Sequence, residues 1–267
     1  MSAAQAAELA RLAGSSTVHK IAEHAWRIRK AAPADGIAPY CEKAGVDFAF
    51  MPEGRRFADL KLVAMDMDST LITIECIDEL GDLAGCKSEI AAITAQAMRG
   101  ELDYPQSLRK RVALLAGLDE SALARVYEER LRLTAGAEQL LAACKRRGVK
   151  SLLVSGGFTF FTERLKARLG IDYTISNRLE TRGGRLTGAL VGDVVDADAK
   201  AAKFAAVVSE LGAAREQTLA IGDGANDLKM MAFAGTSVAF HAKPVVRAQA
   251  GCAISYCGLD AVVNLFE

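Results

Sequence analysis

The amino-acid sequence predicts an α/β fold with a doubly wound, Rossmann-like parallel sheet, and three observations indicate it. Short apolar runs of strand length alternate with helix-length segments from residue 136 to residue 267. Several of these runs end in acidic or glycine-rich turns, as ligand-binding loops do beyond the carboxyl ends of parallel strands. Residues 75–133 carry helical periodicity without any strand pattern, which predicts an inserted helical bundle.

Length and composition are those of an ordinary globular protein. The chain has 267 residues, of which 51% are hydrophobic and 25% charged, enough for a core and an insertion. Its 33 basic and 33 acidic residues balance, and no apolar run has the length of a membrane span, so we expect neither nucleic acid nor membrane as a partner. The six cysteines contain no C-x-x-C pair and no secretory signal is present, which predicts reduced thiols in a cytoplasmic protein.

Residues 1–60 are predicted to be a separate, mostly helical extension. Residues 3–13 and 17–32 have helical composition, and the second segment has an apolar face that includes Trp26. Residues 46–50 are predicted to form a short strand. Because no catalytic spacing occurs here, we expect the extension to pack against the rest of the chain or to form a homodimer contact.

The remaining chain divides into a core and a lid. Residues 61–75 and 135–267 are predicted to form the α/β core, and residues 76–134 a helical cap over the site. Within the core, residues 177–195 alternate about the turn Arg182-Gly183-Gly184, which predicts a small β-hairpin. The other predicted core elements are a helix at 137–147, a strand at 149–154, a helix at 158–169, a strand at 173–176, a helix at 198–211, strands at 218–221, 237–240 and 253–255, and a last helix ending at 266.

The stretch Leu62-Val-Ala-Met-Asp-Met-Asp-Ser-Thr-Leu71 organises the chain. Its apolar run has the character of a buried parallel strand, and it ends in two carboxylates, Asp66 and Asp68. The spacing of two places both carboxyl groups on the same side of an extended strand. Such a pair can hold a hard divalent cation, act as nucleophile and proton donor, or do both.

Three further features follow later strands or open a helix. Ser155-Gly156-Gly157 offers a hydroxyl and backbone N–H groups to a phosphate, although Ser-Gly-Gly is also a common turn. Lys200 opens a predicted helix, where it is either a charge clamp on phosphate or a solvated surface lysine. The segment Gly222-Asp-Gly-Ala-Asn-Asp227 is either an Asx-capped turn or part of an oxygen shell for Mg²⁺, to which Asp223 contributes.

Together, D-x-D-x-T, S-G-G, a lysine and G-D-G-x-N-D, in this order, resemble the haloacid dehalogenase superfamily over roughly residues 60–267. The resemblance implies one Mg²⁺ per active site, bound by the Asp66 carboxylate, the Asp68 backbone carbonyl and Asp223. It also implies that Asp66 is the nucleophile that forms an aspartyl-phosphate and that Asp68 is the general acid and base. The implied contacts to the transferring phosphate are Ser155, the Gly156 amide, Lys200 and Asn226, with Asp227 positioning Lys200 or a metal-bound water.

Within that superfamily, the chain resembles the phosphoserine phosphatase family. Glu75, in T-L-I-T-I-E-C-I-D-E-L, matches that family's acid for the substrate ammonium, and Arg111, in S-L-R-K-R-V, matches its arginine for the substrate carboxylate. The resemblance implies hydrolysis of O-phospho-L-serine, the last step of L-serine biosynthesis. From the residues alone, Glu75 also belongs to an acidic helix face and Arg111 to a basic run of the kind that is usually solvated.

Two alternatives stay open. One is a phosphatase or phosphotransferase for another small metabolite, such as phosphohomoserine or a sugar phosphate; Glu75 with Arg111 argues against sugars and barely discriminates among amino acids. The other is a non-catalytic Mg²⁺-binding regulatory protein, against which the intact nucleophile Asp66 argues. The chain departs from the family at its front, because residues 1–60 are too short for the regulatory small-molecule domain of longer relatives. Feedback control by serine is therefore left open.

Overall fold

The computed structural model describes residues 1–267, which form nine strands and eleven α-helices. The strands are β1 (Thr17–Ala22), β2 (Ala25–Arg29), β3 (Leu62–Met65), β4 (Lys150–Phe158), β5 (Tyr173–Arg182), β6 (Arg185–Val191), β7 (Thr218–Gly222), β8 (Thr236–Phe240) and β9 (Cys252–Ile254). The helices are α1 (Ala3–Leu12), α2 (Ile37–Ala44), α3 (Cys76–Ala84), α4 (Lys87–Met98), α5 (Tyr104–Ala113), α6 (Ser121–Arg125), α7 (Ala137–Arg147), α8 (Thr159–Leu169), α9 (Ala197–Glu210), α10 (Leu228–Phe233) and α11 (Pro244–Arg247). None of these helices has the length and apolarity needed to cross a membrane.

Seven strands form one sheet in the order β6-β5-β4-β3-β7-β8-β9, parallel throughout except that β6 runs antiparallel to β5. Alternate residues of β3 face opposite layers: Val63 and Met65 pack into the larger apolar core, and Leu62 and Ala64 into the smaller one. Because both faces are covered, the strand is a continuous apolar run. Strands are added on one side of β3 and then on the other, so the loops after β3, β4 and β7 meet at one edge of the sheet. The predicted doubly wound α/β class is confirmed.

Helices α3 to α6 confirm the helical content predicted for residues 75–133, and α3 and α5 reach the loops at that edge through Cys76 and Tyr104. Buried apolar residues on each of α3, α4 and α5, such as Leu80, Ile90 and Leu108, pack these helices into the larger core. Helix α3 ends at Gly85, whose φ of 74° gives the left-handed cap that glycine favours. This region is bridged to the tip of the β5–β6 hairpin by the pair Asp119 with Arg185 and by backbone hydrogen bonds such as the one from Gly117 N–H to the Leu186 carbonyl at 2.8 Å.

The hairpin predicted at residues 177–195 is also present, as β5 and β6. Gly183 and Gly184 at its turn have φ values of 59° and 76°, which a two-residue turn of this kind requires. The predicted short strand at 173–176 is not separate from it, because β5 runs unbroken from Tyr173 to Arg182. At the end of the chain, the predicted last helix is a 3-10 helix over Leu259–Leu265.

The prediction of a mostly helical extension was wrong for residues 17–32. These residues form the antiparallel hairpin β1–β2 between the two short helices α1 and α2. The segment contains Thr17, Val18, Ile21, Trp26 and Ile28, residue types that favour paired strands. Its apolar residues are too evenly spread to decide between a helix and a hairpin. The first helix, predicted at 3–13, is confirmed as α1.

The strand predicted at residues 46–50 was also wrong, because this segment is irregular and joins the extension to the core. The carboxylate of Asp47 accepts three backbone N–H bonds, of 2.7 to 3.0 Å, from Ser255, Tyr256 and Cys257. The segment is thus held to the loop after β9 by the side chain of Asp47, whereas a neighbouring strand would be held by its backbone. Nearby, Arg27 donates to the backbone oxygen of Phe266, so residues 1–60 are fastened to the end of the chain.

Candidate active site

A buried ion network joins the loop after β3 to α9. The Lys200 ammonium is fully buried and donates to Asp66 Oδ2 at 2.7 Å and to Asp227 Oδ1 at 2.8 Å. Burial alone would lower the pKa of Lys200, but the charges of Asp227 and Asp66 outweigh it and raise that pKa. Burial also raises the pKa of Asp66 well above its usual value, with the Asp227 charge adding to the shift and Lys200 opposing it. Lys200 is therefore a fixed positive charge beside Asp66, and its solvated alternative is excluded.

Three carboxylates converge at this point. The oxygens of Asp66, Asp223 and Asp227 lie within 4.8 Å of one another. Thr70 donates its hydroxyl to Asp223 at 3.2 Å, and burial followed by the Asp227 charge raises the pKa of Asp223 to about 6. Several carboxylate oxygens held this close together are the ligands that a hard divalent cation prefers, so these residues fit Mg²⁺. From the sequence, Asp227 was expected only to position Lys200 or a metal-bound water. In the structure its carboxylate lies in the acid cluster and also accepts a hydrogen bond from Lys200.

Asp68 faces the loop that follows the regular part of β4. Its Oδ1 accepts the Cys76 N–H at 2.9 Å, and the Ser155 hydroxyl donates to its Oδ2 at 3.4 Å. Gly157 leaves room for this contact, because a Cβ there would come within 2.6 Å of Asp68 Oδ2. Burial raises the pKa of Asp68, and the hydrogen bond from Cys76 opposes the shift. A carboxyl group with a raised pKa is suited to proton transfer.

The carbonyl of Gly156 accepts hydrogen bonds from two side chains that the sequence analysis did not single out. Tyr104, the first residue of α5, donates its hydroxyl at 3.3 Å, and Asn177 of β5 donates its Nδ2 at 2.8 Å. A Cβ on Gly156 would lie 1.9 Å from the Tyr104 hydroxyl oxygen, so glycine permits the close approach of the cap. The only sequence signal for Tyr104 was its spacing of seven residues, two helical turns, from Arg111.

Glu75 lies at the start of α3, and its Oε1 accepts the Ser69 hydroxyl at 2.7 Å. The side chain reaches solvent at the mouth of the site, yet the surrounding protein still desolvates it. This desolvation, followed by the charge of Asp68, raises the pKa of Glu75 to about 7.

Arg111 projects from the face of α5 that also carries Tyr104 and Ser107. Its Nε and the hydroxyl oxygen of Ser107 are the two buried side-chain nitrogen or oxygen atoms that have no hydrogen-bond partner. Burial raises the pKa of Tyr104 to about 12 and also raises that of Asp78, and the charge of Arg111 opposes both shifts. Unpartnered buried polar atoms on one helix face indicate a place for a polar ligand.

The structure thus places the sequence-predicted residues around one point. Asn226 lies in the loop after β7, with its Oδ1 next to the backbone of Gly224, where a Cβ would come within 2.2 Å. Glu75 lies where the core leads into α3 and Arg111 lies on α5, and no ion pair joins the two. The residues assembled at the sheet edge are Asp66, Asp68, Ser155, Gly156, Lys200, Asp223, Asn226 and Asp227.

Several known proteins are similar to this chain in sequence and fold. A phosphoserine phosphatase from Polaromonas sp. is 55% identical over 217 residues, 79% of this chain and 92% of that protein. One from Haemophilus influenzae is 46% identical over 222 residues, 83% of this chain and 70% of that protein. The unliganded probable phosphoserine phosphatase from Vibrio cholerae superposes on 100% of this chain and 83% of its own, with a TM-score of 0.84 and 35% identity.

A substrate-bound phosphoserine phosphatase complex matches with a TM-score of 0.73 and 38% identity, over 78% of this chain and 99% of that one. The haloacid dehalogenase-like hydrolase family matches residues 63–232, which contain all four motifs. The superfamily resemblance seen in the sequence is therefore confirmed, and this chain belongs to the haloacid dehalogenase-like hydrolase family.

Proposed function

We propose that this chain is a Mg²⁺-dependent phosphoserine phosphatase that hydrolyses O-phospho-L-serine to L-serine and phosphate. The observation that carries the proposal is a pair of side chains: Glu75, whose carboxylate is bonded to Ser69 at the start of α3, and Arg111 of α5, whose buried Nε has no hydrogen-bond partner. An α-amino acid presents an ammonium and a carboxylate, and a single acid with a forked guanidinium matches both. The names of the Polaromonas and Haemophilus relatives support the same substrate.

Asp66 is the proposed nucleophile. Its Oδ1 accepts the Met67 N–H at 2.6 Å and its Oδ2 accepts from Lys200, so the carboxylate cannot rotate freely. Attack of Asp66 on phosphorus forms the aspartyl-phosphate O–P bond while the bond from phosphorus to the serine oxygen breaks. Asp68 donates a proton to that leaving oxygen and then removes one from the water that hydrolyses the intermediate. The raised pKa of Asp68 is consistent with a group that begins the cycle protonated.

The remaining residues bind and orient the phosphoryl group. The Ser155 hydroxyl, the Gly156 N–H, Lys200 and Asn226 are proposed to contact its oxygens, where preformed donors stabilise developing charge. Asp227 keeps Lys200 in place through its bond of 2.8 Å. When Mg²⁺ is bound by Asp66, the Asp68 carbonyl and Asp223, it neutralises phosphate charge and favours in-line attack.

Phosphate release from a panel of substrates tests the proposal. The panel contains L-phosphoserine, phosphothreonine, phosphohomoserine, a sugar phosphate and p-nitrophenyl phosphate, each with Mg²⁺ and with EDTA. We expect Mg²⁺-dependent turnover with a strong preference for phosphoserine. A flat profile would leave a phosphatase without the proposed substrate, and preference for phosphohomoserine would transfer the assignment to that alternative. No release by folded, Mg²⁺-loaded protein would favour the regulatory-protein alternative.

A further inference from the structure

We propose that Asn177 is a positioning residue that fixes the Ser155-Gly156-Gly157 loop relative to Lys200. The residue is 1% exposed, and its side chain forms hydrogen bonds with neither the acid cluster nor a residue of α5. The inference rests on the proposed phosphatase chemistry but not on the identity of the substrate.

Both ends of the Asn177 amide are used. Its Nδ2 donates to the Gly156 carbonyl at 2.8 Å, and its Oδ1 accepts the Val195 N–H at 2.8 Å. One end meets an acceptor and the other a donor, so the orientation of the amide is fixed by its partners. No carboxylate or aliphatic side chain can make both bonds.

The first partner lies where the sheet gives the loop no support. The parallel ladder between β4 and β5 pairs Val154 with Ile175 and next pairs Phe158 with Asn177. Residues 155–157 are therefore bulged out of the ladder opposite Ser176. The Asn177 side chain supplies a hydrogen bond to this bulge in place of the missing ladder bonds.

The second partner leads directly to Lys200. Val195 precedes Asp196, which caps the N-terminus of α9 by accepting the N–H groups of Asp198 and Ala199 at 3.0 and 2.9 Å. Lys200 lies in the first turn of this helix, so a displacement of Val195 moves its ammonium relative to Asp66. A single buried amide therefore spans two elements that are proposed to grip the same phosphoryl group.

Loss of the amide would therefore displace both the Ser155-Gly156-Gly157 loop and the start of α9. The Gly156 carbonyl would keep only the longer bond of 3.3 Å from Tyr104, and the bulge would be free to shift. Because misplacement of about 1 Å lowers catalysis by about 100-fold, a small shift is enough to impair phosphate handling. The loss must affect every phosphate monoester alike, since all present the same phosphoryl oxygens.

The test compares Asn177→Asp and Asn177→Ala with Ser151→Ala. Aspartate keeps the shape and the bond from Val195 but repels the Gly156 carbonyl. Ser151 is a matched control because it is buried, hydrogen-bonded to Asp172 and located at the opposite end of β4. Kinetics with phosphoserine and p-nitrophenyl phosphate, inhibition by inorganic phosphate and thermal unfolding are measured for each variant.

We expect both Asn177 variants to lose about 10- to 100-fold in kcat/KM on both substrates. Inhibition by inorganic phosphate should weaken together with that loss, whereas Ser151→Ala should lower Tm and leave the kinetics unchanged. If Asn177→Asp has wild-type kinetics and only a lowered Tm, the inference is wrong. If Asn177→Ala does not fold, the isosteric aspartate variant decides. A wild-type protein that hydrolyses only p-nitrophenyl phosphate would refute the proposed function and leave this test in force.

Discussion

Replacing Gly156 by alanine tests whether the cap contact described above holds the site in its working geometry. The new Cβ would lie 1.9 Å from the Tyr104 hydroxyl oxygen and 3.0 Å from its Cζ. Ordinary van der Waals separation then requires the tyrosine and the loop to part by about 1.5 Å. The backbone N–H of residue 156, proposed to contact phosphate, is retained by alanine, so the perturbation is steric.

A separation of this size lowers kcat/KM by about 100-fold, equivalent to about 2.7 kcal/mol of transition-state stabilisation. Tyr104→Phe removes the clashing oxygen and leaves only the 3.0 Å contact, which a few tenths of an ångström relieve. Alone, that change removes one hydrogen bond and costs about 1 kcal/mol, or about fivefold. The double variant Gly156→Ala with Tyr104→Phe should therefore recover most of the activity lost by Gly156→Ala.

The assay is steady-state hydrolysis of phosphoserine and p-nitrophenyl phosphate by wild type, both single variants and the double variant. Circular dichroism verifies that all four are folded. The reasoning is refuted if Gly156→Ala stays within about twofold of wild type, which is less than about 0.5 kcal/mol. It is equally refuted if the double variant is no more active than the alanine variant, because relief of the clash is the only reason for rescue.

Three other changes probe separate parts of the site. Asp66→Asn should abolish turnover while Tm stays equal or rises, because burial and Asp227 make the ionised carboxylate unfavourable; a clearly lowered Tm in thermal unfolding would contradict this. Arg111→Ala should lower kcat/KM for phosphoserine by about 100-fold or more and change kcat/KM for p-nitrophenyl phosphate by less than about threefold. Arg109→Ala, at an exposed position of the same helix, is the control. Equal losses on both substrates would show that Arg111 does not recognise the carboxylate. Burial raises the pKa of Glu75 to about 7, so this side chain is neutral below that pH and anionic above it. The ratio of kcat/KM for phosphoserine to that for p-nitrophenyl phosphate should therefore rise through pH 7, and in Glu75→Gln this ratio should not depend on pH.

The core was predictable because its evidence is local. The run from Leu62 to Met65 is apolar on both faces of the sheet, and the acidic residue Asp66 directly after it indicates the edge where the site lies. The order of the later motifs supplied the other two loops. The hairpin β1–β2 was not predictable from periodicity, because a half-exposed two-stranded ribbon buries too little apolar surface to impose a clear pattern.

The supporting side chains could not be predicted, because their partners lie far away in the sequence. Tyr104 meets Gly156 across 52 positions and Asp47 meets Ser255 across 208. In the sequence, Asn177 was simply the first residue of a predicted hairpin, and nothing marked its amide as a link between two loops. Residues that contact reacting groups carry motif spacing, whereas residues that hold those loops act through tertiary contacts.

The central position of β3 has a consequence for how the protein is made. Its partner β7 follows about 150 residues later, and Lys200 meets Asp66 across 134 positions. Such distant pairing forms late, because chain entropy must be lost before the contacts exist to offset it. During synthesis, β3 leaves the ribosome with both edges unpaired, since β4 and β7 both follow it in the chain, and Asp223 and Asp227 are made only when most of the chain has emerged. The proposed metal site is therefore complete only after the last third of the chain has folded.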